Sequence, residues 1–120
     1  MGEGAGGDTQ AADSVAIGHG AGATGQGVES VAIGKNATGG DRSVAIGPDT
    51  GSGFETVSMG FSTGNSGQGI HAVALGSNAG VLNQGSNAVA IGYKAGENNQ
   101  HSNTIILNAT GEELISRAID

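Results

Sequence analysis

The sequence of 120 residues contains no cysteine, no tryptophan, one proline and only three aromatic side chains. Without cysteine the chain has neither a disulfide framework nor a thiolate metal site. No apolar run approaches the roughly 18 residues that a membrane-spanning helix requires. The glycine-rich residues 1–7 lack the basic and apolar segments of a signal peptide, so we do not expect them to act as one.

Basic residues are also scarce. Lysine and arginine together number four, against eleven acidic residues, which gives a net charge of −7. Binding to nucleic acid through its phosphates requires a basic stripe, and this sequence has none. Anionic membrane surfaces repel the same negative charge. We therefore expect no nucleic-acid partner and no membrane contact by this segment.

A repeated pentapeptide dominates the sequence. Ser-Val-Ala-Ile-Gly occurs unchanged at residues 14–18, 30–34 and 43–47, and related copies occupy residues 56–60, 72–76, 88–92 and 104–108. The last residues of successive copies are 16, 13, 13, 16, 16 and 16 residues apart. Such self-similarity is typical of a repeat protein in which each copy is one structural unit stacked on the previous one.

Each copy predicts a short β-strand. Large and small residues alternate, so Val31 and Ile33 point to one side of an extended backbone and Ala32 points to the other. The run is too short for a helix, and its β-branched residues favour a strand. The glycine at its end permits a sharp turn. The pattern predicts an all-β, parallel β-solenoid of about seven coils of 13–16 residues, each a strand, a turn, a second extended segment and a return loop.

The two step lengths differ in the return loop. The 16-residue steps carry a glutamine eight positions before their end, as at Gln26 and Gln84, whereas the 13-residue steps lack this glutamine. A three-residue insertion confined to one loop leaves the strands of a solenoid in register.

The alternation also leads us to predict what each side chain faces. We expect the large residues to fill the interior of the roll: Val15, Ile17, Val31, Ile33, Val44, Ile46, Val57, Met59, Val73, Leu75, Val89, Ile91, Ile105 and Leu107. The small residues form a flat face that another backbone can approach closely. We expect them to face partner chains in a homo-oligomer: Ala16, Ala32, Ala45, Ser58, Ala74, Ala90 and, as a larger plug at the end, Ile106.

Three segments follow from the repeats. Residues 1–13 form a glycine-rich lead-in that can hold part of a first coil, residues 14–108 form the β-roll, and residues 109–120 form a cap, a neck or the start of a stalk. In the last segment, acidic residues precede the apolar Leu114, Ile115, Ala118 and Ile119, which favours a short helix start.

The in-register copies across residues 10–108 resemble the head repeats of YadA-like trimeric autotransporter adhesins. The resemblance implies a left-handed β-roll, a parallel homotrimer, and a place on an extracellular, outer-membrane-anchored fibre that attaches to a host cell or matrix. Its partners would be two further copies of itself and a host-surface protein or glycan. The handedness and the trimer are implied by the family, whereas the residue pattern indicates only a solenoid that associates with itself.

A second resemblance is more local. Residues 84–111 are similar to repeats in fibre and tail proteins of phages and large DNA viruses. This likeness implies the same fold on a virion surface, as a rigid spacer or as a carbohydrate-binding element that recognises a receptor.

The sequence predicts no catalytic, cofactor or metal site, and hence no enzyme. Residues 20–25 match G-x-G-x-x-G, but a dinucleotide site needs a helix directly after the motif, and another strand copy begins at Ser30 instead. The three histidines occupy different repeat positions several coils apart, which does not match a closed metal site.

The three aromatic residues are Phe54, Phe61 and Tyr93. Exposed aromatic side chains are good anchors for a ligand, so these are candidate contacts for a sugar or a protein. The alternative is that they cover the edge of the roll. The sequence thus favours a structural and adhesive module of a surface fibre, with a soluble lectin-like module as the other hypothesis.

Overall fold

The computed structural model describes residues 2–7 and 10–115. These residues form a parallel β-solenoid with one three-residue strand in each of seven successive coils. The strands are β1 (Val15–Ile17), β2 (Val31–Ile33), β3 (Val44–Ile46), β4 (Val57–Met59), β5 (Val73–Leu75), β6 (Val89–Ile91) and β7 (Ile105–Leu107). They lie in one parallel sheet in sequence order. The predicted all-β solenoid is therefore confirmed, with each repeated pentapeptide supplying one strand.

Strand register is the same across long and short coils. Ile17 pairs with Ile33 across a 16-residue step, and Ile33 pairs with Ile46 across a 13-residue step. The three-residue difference is therefore absorbed outside the sheet, in the return loop, as the sequence predicts.

The corners of the coils use a left-handed backbone at residues other than glycine. One such column directly precedes the small residue before each strand, with φ between 51° and 63°: Asp13, Glu29, Arg42, Glu55, His71, Asn87 and Asn103. A second column follows the turn glycine and contains Asn36, Asp49, Ser62, Asn78 and Lys94. Asparagine and aspartate tolerate this conformation better than most residues, which explains their frequency in both columns.

The interior of the roll is the reverse of the prediction. The central residues of the strands, predicted to face other chains, are buried inside the single chain: Ala32, Ala45, Ser58, Ala74 and Ala90 are 0% exposed, Ile106 is 5% exposed, and Ala16 is half-buried. The large residues on either side of them, predicted to fill the core, point outward and are half-buried or exposed. Both facing assignments are therefore wrong.

The physical reason is the narrow space between the two walls of the coil. Gly80 lies on the wall opposite β5, and a Cβ atom built on it would stand 3.2 Å from the Cβ of Ala74. Gly22 meets Ala16 across the coil at the same 3.2 Å. Because a methyl group on one wall already touches a glycine on the other, valine or isoleucine cannot point inward in these coils.

Glutamine fills the remaining interior space of the long coils. Gln26, Gln84 and Gln100 are at most 2% exposed. The Gln100 side-chain amide donates to the Val89 carbonyl at 2.9 Å, and the Gln84 amide donates to the Val73 carbonyl at 2.8 Å. These bonds satisfy main-chain acceptors inside the roll, since a buried carbonyl without a partner costs about 1–3 kcal/mol.

Both ends of the β-roll carry additional stacked chain. At the start, the Gly6 N–H donates to the Ala21 carbonyl and the Gly20 N–H donates to the Glu3 carbonyl, so residues 3–6 stack on the next coil. At the end, Leu114 forms a parallel bridge with Ala95.

The C-terminal segment therefore begins another coil. The prediction of a helix start is wrong for Leu114, which lies in an extended bridge. Before it, the Asn108 side-chain amide donates to the Tyr93 carbonyl of the previous coil at 2.7 Å. The predicted neck residues Ala118 and Ile119 lie outside the described residues. Ile106 fills the end of the roll interior in one buried cluster with Ala90 and Ala95, so the prediction that it plugs a contact between chains is also wrong.

Candidate functional site: an apolar strip along the sheet

The outward side chains of the seven strands form one continuous apolar surface, which we call the apolar strip. It consists of two columns: Val15, Val31, Val44, Val57, Val73, Val89 and Ile105, and Ile17, Ile33, Ile46, Met59, Leu75, Ile91 and Leu107. Both columns are half-buried or exposed throughout, and the strip is most open on β7, where Ile105 is 72% and Leu107 is 67% exposed.

The strip is large for the surface of an isolated domain. Neighbouring strands lie about 4.8 Å apart, so seven strands extend the strip by roughly 29 Å. Every position in it is aliphatic or methionine, without a charged residue to break it. Contiguous apolar surface of this extent is characteristic of an interaction site. The strip is therefore the chief candidate for a protein interface.

A polar ladder runs along the corner that precedes the strands. Its members are Arg42, Glu55, His71, Asn87 and Asn103, one from each of five successive coils. The Glu55 carboxylate accepts from Arg42 Nε at 2.8 Å and contacts His71 Nε2 at 2.7 Å. His71 Nδ1 lies 3.2 Å from the Asn87 amide oxygen, and Asn87 donates to Asn103 at 3.1 Å. The ladder therefore connects coils that are joined elsewhere by main-chain bonds.

Glu55 is the electrostatic centre of this polar ladder. The hydrogen bond from Arg42, followed by that from His71, holds the pKa of Glu55 below its ordinary value of 4.5. The same carboxylate raises the pKa of Arg42. Because a lowered carboxyl pKa means that folding favours the ionised form, Glu55 stabilises the fold above its ordinary pKa. That contribution is lost as the pH falls through the lower, folded-state value.

We therefore expect Glu55→Gln to reduce the melting temperature at neutral pH by a small amount. The change is small because the side chains are exposed. The difference between the variant and the unaltered protein should disappear as the pH falls below the ordinary carboxyl pKa and through the lowered pKa of Glu55. Thermal melts followed by circular dichroism at stepped pH measure this difference. Glu29→Gln, in the same column but without a hydrogen bond between side chains, is the control. A difference that persists at low pH would contradict the assignment.

Comparison with known protein families shows to which family this chain is related. The family model described as YadA head domain repeat (2 copies) matches residues 10–37, 26–50 and 68–95, which together span more than half of the chain. The chain belongs to the YadA head repeat family. Neither the curated proteins nor the solved structures compared with it gives a match.

Membership of the YadA head repeat family confirms the resemblance seen in the sequence. The family indicates an adhesin-type module exposed at a cell surface, and its repeats are structural rather than catalytic. Between the matched ranges, residues 51–67 fall outside the family model. This segment carries β4, whose Ser58 and Met59 depart from the Val-Ala-Ile sequence of the other early strands. One departure from the YadA head pattern thus lies in the middle of the roll.

The candidate aromatic contacts of this YadA head module do not form a cluster. Phe54, Phe61 and Tyr93 are all exposed, as expected. Phe61 and Tyr93 share one column but are two coils apart, whereas Phe54 belongs to the column that continues with Ile70. The Lys94 ammonium lies over the Tyr93 ring, 5.5 Å from its centre. The three residues therefore offer separate contacts rather than one aromatic site.

The described part of the YadA head module offers neither a metal site nor a membrane-spanning helix. Within residues 2–7 and 10–115, no group of three or more His, Cys, Asp or Glu side chains could hold a metal ion. In the same part of the chain, no helix has the length and apolar character needed to cross a membrane. The apolar strip and the polar ladder thus remain the main surface features, and sequence reasoning missed the strip because it placed those side chains inside.

Proposed function

We propose that this chain is a structural and adhesive head module of a homotrimeric surface fibre. Three copies lie parallel around a common axis, each turning its apolar strip inward. The observation that supports this arrangement is the strip itself, which leaves seven coils of aliphatic side chains open in a single chain. Burial of each valine, leucine or isoleucine side chain contributes about 1.5–3 kcal/mol when complete, so covering the exposed part of this many residues stabilises an assembly strongly.

The correction of the roll interior changes which residues make the trimer. The small residues such as Ala45 and Ala74 are buried within one chain and cannot reach a partner. The proposed trimer interface is therefore formed by the two columns of the apolar strip. Parallel association in register fits this surface, because each coil then meets the same coil of its partners around the axis.

A threefold arrangement is favoured by family membership, since head repeats of this family generally form homotrimers. The resulting rod is rigid because every coil is bonded to the next by main-chain hydrogen bonds. Such a rod suits a module that projects from a surface and presents its outer walls to a host cell or matrix. Catalysis has no part in the proposal.

Sedimentation equilibrium of residues 1–120 tests the assembly directly. We expect a single species with three times the 11.5 kDa mass of the chain. A stably folded monomer at every concentration would contradict the proposal. Adhesion is tested separately, by measuring attachment of beads coated with the trimer to cultured cells and to matrix proteins, with albumin-coated beads as the control. Attachment no greater than that of the control would contradict the adhesive role and leave the trimer unaffected.

A further inference from the structure

A polar notch lies on the outside of the roll where the short coils meet the following long coil. It has a volume of about 430 Å³ and is lined by Thr38, Ser52, Gly53, Asn65 and Gln68, among others. Its origin is the step length. Two successive 13-residue coils lack three residues each in the return loop, whereas the next coil, with Asn65 and Gln68, has the full length. The long coil forms one wall of the notch, and the short coils form its floor.

One main-chain hydrogen bond that the other coils make is missing in the notch because of this change of length. In other coils the equivalent ladder bond is made: the Gly40 N–H donates to the Ser52 carbonyl at 3.1 Å, and the Gly69 N–H donates to the Gln84 carbonyl at 2.7 Å. The corresponding pair here is the Gly53 N–H and the Gln68 carbonyl. Among the described residues this bond is not formed; the Gln68 carbonyl oxygen instead lies against Gly53, 2.5 Å from where a Cβ on Gly53 would stand, and the Gly53 N–H is left without a hydrogen-bond partner.

Side chains add further open hydrogen-bonding groups. Within the described part of the chain, the Thr38 hydroxyl and the Asn65 amide make no hydrogen bond to another residue. The notch thus offers donors and acceptors from both main chain and side chains, with a single carboxylate, Asp49, and no basic residue in its lining. The volume of the notch falls within the roughly 300–1,000 Å³ of small-molecule sites, in which placed polar groups fix the orientation of the ligand.

The notch would remain accessible in the proposed trimer. Gly64, which lines it, lies against the Ser58 hydroxyl, and the Ser58 side chain points inward from β4. Gly64 is therefore on the wall opposite the sheet, while the apolar strip is on the sheet's outer face. When the strips meet at the axis, the notches of all three chains face away from it.

The lining selects the chemistry of the ligand. An anion finds no positive charge in the notch, and a metal ion finds one carboxylate where hard cations take several oxygen ligands. An apolar ligand would leave the Gly53 N–H unpaired. A neutral sugar has hydroxyl groups that both donate and accept, and C–H faces that pack on aromatic rings. Phe54 follows Gly53 in the sequence and is 54% exposed, although it is not one of the lining residues.

We propose that this notch is a binding site for a neutral carbohydrate of one or two sugar units, one site in each chain. The site rests on the proposed function, because the proposed trimer turns the notch of each chain outward and so presents three copies of it. Half of its lining, including Ser52, Gly53 and Asn65, lies within residues 51–67, between the ranges that the family model matches. Ligand recognition would then lie where the coil length changes rather than among coils of equal length.

Binding is tested with the full chain, after its mass has been established by sedimentation. The probes are an array of neutral oligosaccharides, with sialylated and sulfated glycans on the same array, followed by nitrogen-15 NMR titration with the strongest neutral disaccharide. We expect a saturable shift of the Gly53 amide signal. No saturable binding of any neutral glycan would overturn the proposal. Short glycine- and alanine-rich peptides are tested as a second set of probes. Stronger binding of charged glycans or of these peptides than of neutral glycans would overturn the proposal as well.

Variants locate the site. Thr38→Ala combined with Asn65→Ala removes two open side-chain groups that bond to nothing in the protein, so folding should be unchanged while affinity falls about 10- to 100-fold. Asn65→Trp should block the notch. The matched control is Val81→Trp, because Val81 occupies the equivalent position in the next coil, outside the notch. Binding that survives Asn65→Trp would overturn the site. Sugar binding by a monomeric chain would refute the proposed trimer but support the proposed binding site. A trimer that binds no sugar would support the proposed assembly and refute the binding site.

Discussion

Ala74→Leu is expected to prevent stable folding of the solenoid. Ala74 is fully buried in the middle of the roll, and its methyl group already meets the opposite wall at Gly80. Overpacking an ordinary core costs about 1–3 kcal/mol, and the cost is at the upper end or beyond when the opposing atoms belong to main chain that cannot move aside. Far-ultraviolet circular dichroism and chemical denaturation measure the loss.

Two variants act as controls for this result. Val73→Leu places the same new side chain one residue earlier, on the outward side of β5, and should change the melting temperature little. Ala74→Ser should be tolerated, because Ser58 occupies the equivalent position in β4. If Ala74→Leu were as stable as Val73→Leu, the interior position assigned to the small residues would be refuted.

Ile46→Asp is expected to abolish the homotrimer. Ile46 lies on β3 within the apolar strip, so the proposed assembly would bring three carboxylates together near its axis. Burying a charge without a partner is among the most costly changes in a protein, and like charges at close range add to that cost. We expect the sedimenting species to fall from three chains to one, with a melting temperature well below that of the unaltered protein.

Thr24→Asp is the matched control for Ile46→Asp. It introduces the same charge in an exposed return loop, beyond the strand-bearing wall, and should leave the trimer intact. A trimer that persists in Ile46→Asp at unchanged stability would show that the apolar strip is not the interface. Because Ile46 points out of the coil, we expect the Ile46→Asp chain to lose the trimer while its coils stay folded. If Ile46 were in the interior instead, the aspartate would unfold the chain at any concentration.

Ile106 and Leu114, both at the C-terminal end of the roll, differ from expectation for the same reason. Ile106 was expected between chains and is instead inside one chain, and Leu114 was expected in a helix start and is instead in an extended bridge. In each case the local sequence changes character, but the stacking of one more coil overrides local preference, since Gly96 donates to the Leu114 carbonyl at 2.7 Å. Propensity is a weak guide where neighbouring coils supply the hydrogen bonds.

The sequence alone determined the architecture of this protein. The pentapeptide repeats predicted seven strands, their parallel order and their register, because an extended run that recurs every 13 or 16 residues can stack only on its own copies. The glutamine is present in the 16-residue steps and absent from the 13-residue steps, which indicated that the insertion lies in the return loop. The family relationship was visible in the same repeats.

Only the tertiary structure decided which side of the sheet is inside. Alternation of Val31, Ala32 and Ile33 defines two faces but does not say how much volume lies behind each. The usual rule that large apolar residues fill the interior fails here, because a coil of 13–16 residues closes so tightly that an Ala methyl meets a glycine across it. The small residues recurring in the second segment, such as Ala79 and Gly80, were the available signal. The notch was equally hidden, since an open Gly53 N–H exists only where coils of unequal length are stacked.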